Sequence, residues 1–168
     1  MAVVAISKPE LIGLLLYVPG SSGKQYEEIR GKTRLMKLVF LLSKEVEGRK
    51  PVIESDTFRP YKFGPFDSDV YDALEALKQL QLVEEKSPTD RQQIFDEEVG
   101  EAYDVDTVYR LTEVGKQRLA RLAESVSPET IKRISHVKTV FGTMPLIELL
   151  HYVYQRYPEY AKLSEITL

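Results

Sequence analysis

Tyr109-Arg110-Leu111-Thr112-Glu113-Val114-Gly115 is the stretch on which the fold turns. Alternation puts Tyr109 and Leu111 on one face of a strand. Thr112 then has the short hydroxyl side chain that caps a helix starting at the next residue. Gly115, inside the first turn, reads as a tolerated irregularity. Upstream, Leu82 to Lys86 reads as a strand and Thr107 to Leu111 as its return partner. Between the two lies a polar, acid-rich excursion. Residues 84–106 carry nine acidic and two basic side chains, so they are expected to be poorly ordered or to form a long exposed hairpin.

Three helices precede this hairpin. Pro9 near a helix start, followed by an apolar run, predicts a first helix from about Lys8 to Val18, broken by Pro19-Gly20-Ser21-Ser22-Gly23. The second spans about Lys32 to Glu47, with Gly48 placed to end it. Its apolar positions Leu35, Leu38, Val39, Leu42 and Val46 follow helical spacing, and Met36, Phe40 and Leu41 widen the face, marking it as the central core helix. Asp67 or Ser68 caps the third, which reaches about Leu80 and turns Val70, Ala73, Leu74, Leu77 and Leu80 inward. After the junction, helices are expected from Thr112 to about Ser125, from Pro128 to about Phe141 and from Pro145 to about Tyr157. That order is expected for a mainly α protein with a small β-wing: a winged helix-turn-helix core with extra C-terminal helices. Many winged-helix families carry a Tyr-x-Leu-Thr-x-x-Gly junction at this place, although any well-capped strand-to-helix junction could read the same way. The boundaries are a core domain over 1–126 and a helical extension over 127–168, packed on the core or on a partner subunit.

The chain has 168 residues, 43% of them hydrophobic and 29% charged, ordinary proportions for a globular protein. It contains neither cysteine nor asparagine. Disulfides and thiolate chemistry are therefore excluded, and the abundance of Glu, Lys and Arg hints at a thermophilic source. The apolar stretch Leu11 to Val18 is too short to span a bilayer and lacks the features of a signal peptide, so a cytoplasmic protein with no membrane partner is expected. The net charge of −3 hides strong segregation. Residues 30–50 carry +5, and 84–106 carry −7.

The segment Tyr61-Lys62-Phe63-Gly64-Pro65-Phe66 delivers the chain into the third helix through a stiff Gly-Pro turn. It is either a joining loop with core aromatics or a rigid aromatic surface on which Tyr61, Phe63, Gly64, Pro65 and Phe66 would bind a partner protein.

Lys32-Thr33-Arg34-Leu35-Met36-Lys37-Leu38-Val39-Phe40, then Phe63-Gly64-Pro65-Phe66 with Val70-Tyr71, resembles the YwgA-like proteins of prokaryotes and the related antitoxin SocA-like (Panacea) domains. The likeness covers about the first 115 residues. Tyr154-Gln155-Arg156-Tyr157-Pro158-Glu159-Tyr160 looks like the tail of some YwgA-like members. The chain has no Trp, and Tyr61 or Phe63 stands where Panacea domains often carry one, which favours the YwgA-like branch. The resemblance implies a winged-helix-like fold, no known catalytic residues, and toxin neutralisation or protease adaptation as functions.

A winged helix also raises the expectation of DNA binding, and charge weighs against it. The third helix would enter the groove, yet Asp69, Asp72, Glu75 and Gln79 lie on its outer arc, and the acidic wing would approach phosphates. Nucleic acid, if bound, would meet Arg34, Lys37 and Lys44, which share one narrow arc of the second helix, with Arg30 and Lys32 preceding them. Lys132, Arg133 and Lys138 form a second basic group, and a solvated helix face is the plain alternative for both.

Catalytic signals are weak. Glu84-Glu85-Lys86 contains the Glu-x-Lys of metal-dependent nucleases, but the α/β sheet of that core is absent from the pattern. His136 and His151 lack companions at ligand spacing, so no metal site is expected. No phosphate-binding glycine loop or nucleophile elbow occurs. Tyr152, Tyr154, Tyr157 and Tyr160 suit packing or a homodimer seam. The expectation is a non-enzymatic regulatory module without a cofactor, antitoxin- or adaptor-like, whose partner is a protein such as a toxin or a protease. A winged-helix transcriptional regulator using the basic second helix is the alternative.

Overall fold

Ser7 starts the first helix with a capping box: its hydroxyl accepts from the Glu10 amide while the Glu10 carboxylate accepts from the Ser7 amide. In a computed structural model, which describes residues 6–44, 48–55, 57–87, 94–95, 102–103 and 104–165, the chain is mainly helical with small antiparallel sheets. Helix α1 (Lys8–Tyr17) buries every residue from Leu11 to Leu16. Helix α2 (Lys32–Leu42) buries nine of its eleven residues. The core is thus built on two helices that are buried nearly all round, enclosed by other elements on most sides. Around them pack α3 (Ser68–Gln79), α4 (Glu113–Ser125), α5 (Pro128–Phe141) and α6 (Leu146–Arg156), followed by a 3-10 turn at Pro158–Ala161. Both α5 and α6 contact α2, and a single apolar cluster runs from Leu11 to Tyr160.

Helix α2 is shorter than its apolar pattern suggested. It ends at Leu42, where the Ser43 amide and hydroxyl both donate to the Phe40 carbonyl, so Gly48 does not terminate it. Val46 and Glu47 lie outside the described residues. Leu80, expected to face inward from the third helix, is its exposed C-cap residue, 67% accessible.

The strands are β1 (Ile29–Arg30), β2 (Arg59–Tyr61), β3 (Gly64–Phe66), β4 (Val83–Lys86), β5 (Ile94–Phe95), β6 (Ala102–Tyr103) and β7 (Val108–Leu111). β7 lies between β1 and β4, antiparallel to both, with Val83 opposite Leu111 and Ile29 opposite Tyr109. β2 and β3 form a hairpin in the segment expected to be a joining loop or an aromatic surface. Pro60 faces Pro65 in it, an arrangement an antiparallel ladder allows because every second pair exchanges no hydrogen bonds. β5 pairs with β6 farther along the excursion between β4 and β7. Residues 88–93 and 96–101 of that excursion lie outside the described residues.

The base of the excursion is not exposed, contrary to the expectation from its charge. Asp104 and Thr107 are buried because the chain there is tied to the start of α2. That helix has Gly31 as N-cap, which offers no side chain, and no acidic residue in its first turn. The Asp104 carboxylate accepts instead from the Lys32, Asp106 and Thr107 amides at 3.4, 3.1 and 3.1 Å. Its own amide donates to the Thr33 hydroxyl at 2.9 Å. A carboxylate at a helix N-terminus satisfies orphan amides and opposes the positive end of the dipole. Here the cap arrives from seventy-odd positions downstream, and Gly31 at φ 96° leaves the backbone space for it.

Candidate functional site

The outer face of α3 exposes Asp69, Asp72, Glu75 and Gln79. Asp67, the N-cap, is buried at its base and takes 2.5 and 2.6 Å hydrogen bonds from Lys8 and Thr57. Burial alone would raise its carboxyl, but these donors outweigh burial and hold it below the usual range. Beside α3, Glu84 and Glu85 on β4 are exposed. Lys78 bridges Glu75 and Glu85 at 3.1 and 2.6 Å, and Arg110 pairs with Glu84 at 2.6 Å. This face remains acidic after its internal pairs are formed.

The basic residues of α2 do not form the exposed arc that their spacing suggested. Lys37 is fully buried, and its ammonium donates to the Pro65 carbonyl at 3.1 Å. Arg34 is half-buried and donates to the Arg30 carbonyl at 2.9 Å and to the Phe141 and Met144 carbonyls at and just beyond the end of α5. The Lys32 ammonium lies 3.9 Å from the centre of the Tyr71 ring. Burial, with Lys78 next, holds it below the usual lysine range. Lys44 lies 5.5 and 5.4 Å from the Phe40 and Tyr160 rings. Arg30 alone of the five is exposed. The physical reason is common to these residues: long cationic side chains reach backbone carbonyls and ring faces that nothing else satisfies.

The second basic group has the same fate. Lys132 is exposed, but Arg133 and Lys138 are buried. Arg133 donates to the Lys50 carbonyl, and the Lys138 ammonium donates to the Val18 carbonyl at 2.8 Å and the Glu27 carbonyl at 2.5 Å. Ser135 adds a 2.6 Å bond to the Pro19 carbonyl, so α5 is stitched to the loop leaving α1. Burial pushes the Lys138 ammonium down to about 8. The sign of the consequence follows from proton counting. Above pH 8 the folded chain has lost this proton while the unfolded chain keeps it to about 10.4, so stability rises with pH across that window. Between pH 8 and about 9.5 the gain is expected to reach about 1–2 kcal/mol. Urea unfolding at several pH values checks it: Lys138→Met should flatten the rise, and an equal rise in the variant would refute this assignment.

The aromatic segment divides in two. Phe63, Gly64 and Pro65 are buried, so they belong to the core and are not surface anchors. Gly64, at φ 90°, lies beneath Tyr154 and Leu150. Tyr61 and Phe66 are half-buried with ring centres 5.6 Å apart, and Phe66 meets Tyr71 edge-on at 5.2 Å. The Gly64–Pro65 bond is trans. A ledge of Tyr61, Phe66 and Tyr71, edged by Lys32, is what remains for a partner.

A second apolar surface was not read from the sequence. Met144, Ile147, Glu148, His151, Tyr152 and Gln155 line a shallow groove on the outer side of α6. Their i, i+3, i+4 spacing was visible, but the inward stripe of Leu146, Leu149, Leu150 and Val153 on the same helix is stronger and masked it.

Among the described residues no group of three or more acidic or histidine side chains is arranged to hold a metal ion, and no helix is long and apolar enough to cross a membrane. The chain matches no protein-family model, no curated protein and no solved structure.

Proposed function

We propose that this chain is a winged-helix module that acts by binding another protein, antitoxin- or adaptor-like, and not by catalysis. The strand order β1-β7-β4, with β1 ahead of α2, α3 leading into β4 and β7 into α4, supports the winged-helix frame. In that frame α3 is the element that would enter a DNA groove. One observation carries the protein-binding reading. The exposed face of α3 is acidic, while the cations of α2 that could have replaced it are engaged with Pro65, Phe141, Met144 and Tyr71. Phosphates would meet repulsion from α3 that these engaged cations do not offset. The ledge of Tyr61, Phe66 and Tyr71 offers rigid aromatic contacts of the kind that anchor protein interfaces.

Binding of mixed-sequence duplex DNA at about 50 and about 200 mM salt tests the reading. Wild-type affinity is expected to be feeble and to vanish at the higher salt. Replacing Asp69, Asp72 and Glu75 by Asn, Asn and Gln should strengthen this non-specific binding. A wild-type complex that survives the higher salt and discriminates between sequences would overturn the proposal.

A further inference from the structure

The outer face of α6 carries three features that none of the preceding interactions uses. Ile147 is 49% exposed, at the edge of the groove formed with Met144, His151 and Tyr152. The Tyr152 hydroxyl is buried without a hydrogen-bond partner, although its ring packs on Phe141 at 4.8 Å. Buried polar atoms are ordinarily paired; this hydroxyl is closed to solvent, so it is the Tyr152 ring, lining the groove, that an incoming surface meets. The third feature is the order of charge. Glu148, Tyr152 and Arg156 follow one another at four-residue intervals and form one ridge of the helix, with acid at one end and base at the other. The Arg156 guanidinium already lies 5.7 Å from the Tyr152 ring, on the same ridge.

We infer that this face pairs with the same face of a second copy of the chain, the two α6 helices antiparallel about a two-fold axis near Tyr152. The argument is self-complementarity. A two-fold axis through the middle of a ridge brings its acidic end opposite its basic end twice over, so Glu148 of each copy meets Arg156 of the other. Along the axis each charge sits about 6 Å from Tyr152, one turn either way, so the two contacts form in a single register. Met144, Ile147 and His151 then cover one another in the groove. A partner of unrelated sequence would have to supply this reversed pattern separately. A second copy carries it by construction. The inference is independent of the protein-binding proposal, which concerns a different face, and DNA affinity does not bear on it.

Sedimentation equilibrium from about 1 to about 200 µM tests it, with half-dimerisation of the wild type expected between roughly 10 and 100 µM, as suits a small interface. Ile147→Asp places a charge on the apolar edge of the groove and should weaken association at least about tenfold. Glu148→Arg and Arg156→Glu should each weaken it about fivefold, because symmetry makes each substitution act twice. The double variant, Glu148→Arg with Arg156→Glu, restores opposite charges across the axis and should return to within about twofold of the wild type. All three positions are on the surface, and circular dichroism of each variant establishes that the fold is retained. A wild type that stays monomeric throughout the range would overturn the inference and leave this face to another occupant. A double variant no better than either single one would overturn the antiparallel pairing.

Discussion

Gly115→Ala is expected to lower stability by at least about 3 kcal/mol, against what helix propensity predicts. Gly115 lies in the first turn of α4, where exchanging glycine for alanine ordinarily gains about 1 kcal/mol. Its environment reverses the sign. A Cβ built there would stand 2.0 Å from the Leu82 carbonyl oxygen and 2.9 Å from its carbon. Both are backbone atoms, so no side chain can swing aside. The same carbonyl accepts from the Thr112 amide at 3.0 Å, and the Thr112 hydroxyl donates to the Gln81 carbonyl at 2.6 Å. Relief therefore requires α4 to lift from β4, breaking these bonds and thinning the contacts of Leu119 with α1. Read as a tolerated irregularity, Gly115 is instead the residue that permits the close approach. Urea unfolding decides between the two: a variant as stable as the wild type, or more so, would mean that α4 can move away without cost.

Asp104→Ala is expected to cost about 3 kcal/mol, since it strips acceptors from three backbone amides, that of Thr107 buried and those of Lys32 and Asp106 partly so. The Lys32 amide would lose its cap, and the Asp106 and Thr107 amides their turn. Asp104→Asn keeps one acceptor oxygen and should cost roughly half as much, because the oxygen facing Asp106 and Thr107 survives while a donor can face Lys32. Amide exchange gives a local check. In the alanine variant the Lys32 and Thr33 amides should exchange faster than those of Leu38 and Val39. Unchanged protection at Lys32 and Thr33, or a loss below about 0.5 kcal/mol, would remove Asp104 from its role as a remote cap.

Helix positions were legible in the sequence wherever a local signal decides the matter. Ser7, Asp67, Thr112 and Ser127 cap α1, α3, α4 and α5, and each is a short polar side chain bonding an amide two or three residues away. The pairing of β4 with β7 was legible because alternating apolar residues flank a polar excursion. The edge strand β1 was not. It is two residues long and carries no pattern of its own. Charge was the least legible property. Arg34, Lys37, Arg133 and Lys138 read as surface residues, and their burial depends on which carbonyls the folded chain brings within reach. Phe63 likewise joined Tyr61 and Phe66 in the reading of a surface, until the hairpin turned it inward.

The sequence by itself determined the order of the helices, the acidic outer face of α3 and the absence of thiol chemistry, because each depends on neighbours a few residues away or on composition. Only the tertiary structure decided which cations are free, where α2 obtains its cap, and why Gly115 has no side chain. Those outcomes rest on contacts between positions tens to more than a hundred residues apart. Local periodicity cannot encode which carbonyl a lysine will meet, since that distance exists only after the helices have packed.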